Sequence, residues 1–512
     1  MNAYTYHLGI KFKNVVTRFS NKVAIHFPSG KDYTYGELDK LSDRLSHILQ
    51  QKGLKPGDVI AIFNEKSIYG YSLMLACLKT GVIYTNLDSA SPWLRLQKII
   101  STCNPKVIFY DEGVNEFPQL TAEFPDIRTI SLGNNLINEN EAPLENFVDQ
   151  NFHGNSPAYI MFTSGSTGFP KGAVMSHLNL LHFIEWGRET FAVEDTDVFT
   201  NANPIYFDNS VFDFYVCLFN GATLVPLNHS IVKNPKELVK AINKSGCTIW
   251  FSVPSLLVYL LTTKVLKQSD FPNITRISFG GEGFPKNKLK QLFDLFSHRI
   301  RLFNVYGPTE CTCICSSYVI THDDFENMQE LAPLGFMAPN FGYEILPLMD
   351  DNPALGELSL IGPCVGLGYY YDPERTAKSF VQNPNKSFNQ VMYRTGDLVE
   401  RMSNGHLHFR GRVDNQIKHM GYRIELEEIE AAFSTLSYID EVGVIYEKIT
   451  ADLGQIKAFV SVNRPDISEE SILDEVKKIV PSYMVPRKVI LMNELPKNQN
   501  GKIDRKQLKE KV

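Results

Sequence analysis

From residue 33 to residue 111 the chain alternates amphipathic helical stretches with short apolar runs, and this alternation limits its fold more than any single motif. "YTYGELDKLSDRLSHILQ" (33–50) sets Leu38, Leu41, Leu45, Ile48 and Leu49 on one helical face. "GDVIAIF" (57–63) reads as a buried strand, "YSLMLACLKTG" (71–81) as a helix stopped by Gly81, and "PKVIFYD" (105–111) as a further strand. Strands separated by helices pair side by side in parallel, so the pattern predicts a layered α/β fold. A polar, Asn-rich stretch at 134–155 predicts an exposed connection, after which the alternation resumes to about residue 330. "GELSLIG" (356–362) and "GHLHFRG" (405–411) predict strands of a small β-rich part. Beyond "GRVDNQIK" (411–418), a helix at 424–436, a strand at 455–462 and a helix at 468–480 predict a separate α+β domain. The expected division is a large N-terminal domain, 1–411, and a small mobile C-terminal domain, 412–512.

Composition removes several function classes. A net charge of -6 argues against broad electrostatic binding to nucleic acid or anionic lipid. The N-terminus has no apolar core of a secretory signal, and the greasiest stretch, "IWFSVPSLLVYLL" (249–261), is too short to span a bilayer and is broken by Pro254. The eight cysteines include no CxxC pair. Cys311, Cys313 and Cys315 alternate in "CTCIC", which suits one strand face better than a zinc site and predicts buried thiols in a reducing cytoplasm.

"TSGSTGFPK" (163–171) lies between two apolar runs, and its residue types answer the needs of a polyphosphate. Gly165 and Gly168 leave backbone N–H groups open to close approach, hydroxyls add donors, and Lys171 supplies a cation. Pro170 precedes the lysine and Gly172 follows it, so this is not a Walker A loop. "AVM" (173–175) predicts a second strand, with Ser176 starting the next helix.

Together with "FDNSVFDF" (207–214), "NVYGPTE" (304–310), "GELSLIGPCVGLGYY" (356–370), "YRTGDL" (393–398), "GRVDNQIKHMGYRIELEEIE" (411–430), "PSYMVPRK" (481–488) and "NGKIDR" (500–505), the loop resembles the signature set of the adenylate-forming enzymes. That superfamily holds acyl- and aryl-CoA synthetases, luciferases and the adenylation domains of nonribosomal peptide synthetases. The resemblance covers essentially the whole chain. It implies a reaction in two steps: a carboxylate and ATP give an acyl-adenylate and pyrophosphate, then a thiol displaces AMP.

The resemblance also implies roles. Lys171 with Thr163, Ser164, Gly165, Ser166, Thr167 and Gly168 would hold the β- and γ-phosphates, Thr309 the α-phosphate, and Tyr306 would lie beside adenine. Glu310 would be the Mg2+ ligand, since a carboxylate suits a hard cation that bridges phosphates. Asp397 would accept both ribose hydroxyls, and Arg412 would approach the ribose. Lys502 would be the catalytic cation of the first step. Asp414 matches the hinge about which the C-terminal domain turns, bringing Lys418 and Gly421 to the thiol channel.

Asp208 discriminates among substrates. It falls where amino-acid-activating members keep an aspartate for the α-ammonium group, and a buried carboxylate requires such a partner. Asp213, five residues on, should point elsewhere. By resemblance the pocket is completed by Asn209, Phe212, Ser252, Ser278, Gly280, Val305, Cys313 and Ile314. The likeness is strongest to stand-alone D-alanine–carrier protein ligases, which usually carry cysteine where this chain has Gly280. The missing side chain favours a neutral amino acid larger than alanine, or one with a hydroxyl. The absence of a carrier segment after Lys502 implies that the acceptor is the phosphopantetheine thiol of a separate carrier protein. Three alternatives stand beside this expectation. They are a D-alanine–carrier protein ligase proper, a CoA ligase for an acyl or aryl acid, and a binding protein that retains the fold without catalysis.

Overall fold

The leucine face of residues 33–50 forms the helix Tyr35–Gln51, opened by a reciprocal cap between Thr34 and Glu37. This computed structural model describes residues 5–114, 117–133, 135–136, 151–165, 168–348, 352–449, 454–464, 467–498 and 503–511. The expected strands at 57–63 and 105–111 are Val59–Phe63 and Val107–Asp111, both almost wholly buried. The helix between them spans Ile68–Thr80 and ends on Gly81 at φ 71°, the left-handed conformation that glycine adopts without strain. Most of the expected connection at 134–155 lies outside the described residues.

Two large sheets carry the fold. A seven-stranded sheet runs Gly368–Tyr369, Lys171–Ser176, Pro157–Thr163, Ile83–Leu87, Val59–Phe63, Val107–Asp111, Arg128–Leu132. The second sheet has nine strands, of which Arg301–Tyr306, Arg276–Gly280, Ile249–Ser252, Val198–Asn201 and Thr223–Pro226 are consecutive and parallel. Val391–Arg401 centres a five-stranded antiparallel sheet with Leu355–Ile361 and Leu407–Arg412, the small β-rich part expected from sequence. The mixed α/β class, with a smaller C-terminal domain, is as expected. The helices expected at 424–436 and 468–480 are shorter, Leu426–Phe433 and Glu469–Val476, and residues 424–425 belong instead to the strand Tyr422–Glu425.

The chain falls into two compact units, Met1–Ser89, Cys103–Met161 and Gly172–Val413 in one, Ala90–Thr102, Phe162–Lys171 and Asp414–Val512 in the other. The apolar stretch 249–261 is divided by Pro254 into a strand, Ile249–Ser252, and a helix, Pro254–Thr262. Among the described residues no helix is long and apolar enough to cross a membrane.

One expectation fails. "CTCIC" is not a strand: Cys311 closes a 3-10 turn, Thr312 and Cys313 have φ of 65° and 94°, and the strand begins at Ser316. The cause is the reversal between two antiparallel strands, in which Tyr306 pairs with Ser316 and the intervening residues must fold back. Gly307 permits that reversal, because a Cβ there would lie 2.2 Å from the Cys313 carbonyl oxygen. All eight cysteines are buried, and none is joined in a disulfide.

Candidate active site

In the first unit, "FDNSVFDF" folds as one short helix, Asn209–Val211, continued by a π-turn, Phe212–Val216. π-turns concentrate at functional sites because they re-aim the side chains around them. Asp208 stands at the helix start but makes no capping bond, and its Oδ2 instead accepts from Thr309 Oγ1 at 2.5 Å. The predicted ammonium anchor and the predicted α-phosphate contact are therefore hydrogen-bonded neighbours. Asp213 points away: its Oδ2 accepts from Asn201 and Asn203 Nδ2, each at 3.0 Å, and burial pushes its carboxyl up to about 7.

Asn209 and Phe212 follow Asp208, both buried, with the Phe212 ring 5.3 Å from that of Phe251. Phe251 is the register partner of Ser278, which ties this helix to the central strands. Ser252 is satisfied, accepting from Trp250 Nε1 at 2.8 Å and donating to the Val253 carbonyl. Asn209 Nδ2 and Ser278 Oγ are buried and have no protein partner among the described residues. Val305, Cys313 and Ile314 are buried as well.

Gly280 does not act as the sequence suggested. It pairs with Val305, and a Cβ added to it would lie 2.4 Å from the Val305 carbonyl oxygen and 2.7 Å from Cγ2. The missing side chain is answered by the close approach of two strands, so its absence opens no space for a larger substrate. Gly280→Ala is expected to destabilise the protein by about 1–3 kcal/mol, the usual range for overpacking. A lower denaturant midpoint at unchanged slope would show it.

On the nucleotide side, Asp397 and Arg412 face each other across two adjacent strands. Arg412 Nη1 donates to Asp397 Oδ1, and its Nη2 donates to the Thr395 carbonyl at 3.2 Å. The Tyr306 hydroxyl donates to Asp397 Oδ2 at 2.6 Å. Burial holds that hydroxyl well above its usual range, so it stays a donor. Glu310 is fully buried and its Oε1 accepts from the Tyr369 hydroxyl at 2.8 Å. Thr395 and Tyr369 sit inside quoted motifs, "YRTGDL" and "GLGYY", yet sequence reasoning gave neither a role.

In the second unit, Thr163 Oγ1 is buried without a protein partner among the described residues. Ser164 Oγ donates to the Arg423 carbonyl at 2.8 Å, and Gly165 N donates to Glu428 Oε2 at 3.1 Å. Arg95 donates to the other Glu428 oxygen. The Gly168 carbonyl accepts from Lys98 Nζ at 2.8 Å, and Lys171 Nζ lies 3.7 Å from Glu425 Oε1. Asp414 Oδ1 accepts from Gln416 N at 3.2 Å. Lys418 lies on a hairpin, Gln416–His419 with Tyr422–Glu425, whose two turn residues, Met420 and Gly421, have φ of 53° and 82°. Positive φ at both positions matches the turn that fits strand twist, and Gly421 allows it at no steric cost. Ser166, Thr167 and Lys502 lie outside the described residues.

Residues 12–370 match the AMP-binding enzyme family, and residues 428–502 match the AMP-binding enzyme C-terminal domain. The D-alanine--D-alanyl carrier protein ligase of Lacticaseibacillus rhamnosus is 32% identical over 97% of this chain and 98% of its own length. The ligase of the same name from Bacillus licheniformis is 34% identical over 94% of each chain. Among solved structures, an artificially fused adenylation-PCP di-domain from Klebsiella oxytoca superposes with a TM-score of 0.82 at 23% identity, covering 95% of this chain and 94% of that one. The o-succinylbenzoate CoA synthetase of Bacillus subtilis gives 0.85 at 20% identity, covering 98% of each. At those identities the structural likeness speaks for the fold.

Proposed function

We propose that this chain, which belongs to the AMP-binding enzyme family, joins a small neutral amino acid to ATP and then passes the aminoacyl group to the phosphopantetheine thiol of a separate carrier protein. It is an AMP-forming ligase. The observation that carries the amino-acid reading is the bond between Asp208 and Thr309. An ammonium group held by Asp208 puts the substrate's own carboxylate, one carbon away, beside the α-phosphate contact. In the first step a carboxylate oxygen attacks the α-phosphorus, and the bond from that phosphorus to the bridging oxygen breaks. Lys171 and the loop donors neutralise the departing pyrophosphate, and Lys502 screens the two anions that must meet. In the second step the carrier thiolate attacks the carbonyl carbon and AMP leaves. We assign the turn between steps to a hinge at Asp414, dividing 1–411 from 412–512, with Lys418 and Gly421 lining the approach of the thiol.

Glu310 fits Mg2+. Its buried carboxylate is a hard oxygen donor, and burial pushes up the Cys313 thiol, which stays protonated and offers no soft ligand. Bound there, Mg2+ would neutralise phosphate charge while phosphate oxygens complete its shell. The cytoplasm, where ATP is available, is the proposed compartment.

D-alanine, named in the relatives, is the first candidate substrate. A second reading, an amino acid whose side chain carries a hydrogen-bond acceptor, is favoured by the buried Asn209 Nδ2 and Ser278 Oγ, which have no protein partner among the described residues. ATP–pyrophosphate exchange measured with every amino acid in both configurations separates the two. Exchange supported only by fatty or aryl acids would reassign the chain to the CoA ligases.

A further inference from the structure

The carboxylate expected at the ribose sits on a distorted stretch of strand. Val391–Arg401 pairs with Leu355–Ile361, setting Ser359 against Arg394 and Glu357 against Leu398, so Leu358 stands opposite Thr395, Gly396 and Asp397 together. The surplus residues bulge, and a bulge re-aims the side chains it carries. Gly396 turns through φ 72°, a left-handed conformation that glycine adopts without strain. A bulge also takes backbone groups off the ladder, and all three bulged residues are buried, so their amides need other acceptors. Side chains supply them. Gly396 N donates to Glu357 Oε1 at 3.1 Å, Asp397 N donates to Thr395 Oγ1 at 3.0 Å, and that hydroxyl donates to the Leu358 carbonyl at 2.7 Å. Glu357 is itself buried, at 4% exposure, and its Oε2 accepts from Arg394 Nε at 3.1 Å and from Arg394 Nη2.

We infer that Glu357 is a positioning residue for the nucleotide: by holding the Gly396 amide it fixes the bulge that aims Asp397 at the ribose. The inference rests on the ribose role that the resemblance gives Asp397. Glu357 acts through the backbone, because the amide it holds belongs to the residue before Asp397. Asp397 gives one oxygen to Arg412 and the other to the Tyr306 hydroxyl. A carboxylate offers about four lone-pair sites, so each oxygen keeps room for one more donor. A cis-diol needs both of those sites at once, and a small rotation of the carboxylate loses a hydroxyl while the sheet stays intact. Without Glu357 the buried Gly396 amide must seek another acceptor, and the bulge moves to reach it. Reach matters here more than charge, since an amide oxygen at the same place also accepts from that N–H.

The test is calorimetric titration of the full-length protein with MgATP and with magnesium 2'-deoxy-ATP, read as the ratio of the two dissociation constants. A partly unfolded preparation lowers the stoichiometry and leaves that ratio alone, so lost stability cannot imitate lost aim. Wild type should favour ATP by about 10- to 150-fold, the worth of one hydrogen bond to a charged acceptor. Glu357→Ala should bring the ratio close to one, and Glu357→Gln should keep most of the preference. Glu357→Asp withdraws the oxygen from Gly396 N while leaving a charge beside Arg394; it should also lose the preference, and it carries the test if Glu357→Ala yields no folded protein. Asp397→Ala should abolish the preference outright. A wild-type ratio in Glu357→Ala and Glu357→Asp, beside a collapsed one in Asp397→Ala, overturns the positioning role and leaves Asp397 at the ribose. Collapse in Glu357→Gln as well overturns the route through the Gly396 amide. No preference in wild type, or an undiminished one in Asp397→Ala, removes Asp397 from the ribose and the inference with it.

Discussion

Asp208→Ala is expected to abolish amino-acid-dependent pyrophosphate exchange. Removing one member of a buried, hydrogen-bonded charge pair costs about 2–5 kcal/mol, which is roughly 30- to 5,000-fold in kcat/KM. The loss should appear in steady-state exchange at saturating ATP. Asp208→Asn separates charge from shape. Its side-chain oxygen can still accept from Thr309, whose hydroxyl now meets the aspartate at 2.5 Å, but it offers no charge to an ammonium group. Both variants should therefore fail together. Full activity in either would remove the amino-acid assignment while leaving the family intact.

The second large effect is expected at Lys502, in "NGKID". Lys502→Ala should lower adenylate formation by about 10²- to 10³-fold, the usual consequence of deleting one preorganised group that stabilises developing charge. Transfer from a supplied aminoacyl-adenylate to the carrier thiol should proceed at the wild-type rate, because that step attacks the carbonyl carbon and not the α-phosphorus that Lys502 serves. Single-turnover measurement of each step decides it. An equal fall in both steps would deny Lys502 a part specific to the first.

Local chemistry made much of this legible in sequence. The loop between two apolar runs, the Ser176 cap of the helix His177–Thr190 and the left-handed Gly81 are written in consecutive residues. The partners of the site residues are not. Tyr306 and Asp397 are 91 positions apart, Glu310 and Tyr369 are 59 apart, and Gly165 and Glu428 are 263 apart. No periodicity links such pairs; only the folded sheets bring them within reach. Gly280 misled for a related reason, since the meaning of a missing side chain depends on the strand beside it, and Val305 was not legible as that neighbour. "CTCIC" misled because residue type gives no warning that a threonine and a cysteine will take positive φ.

Those two residues, Thr312 and Cys313, adjoin the buried Glu310, and each holds a conformation that ordinarily costs about 1–3 kcal/mol. The reversal that presents the carboxylate is thus kept under tension by its surroundings. Substitutions that relax it would make a hardier protein and a poorer catalyst, so a thermostability campaign should begin elsewhere on the chain.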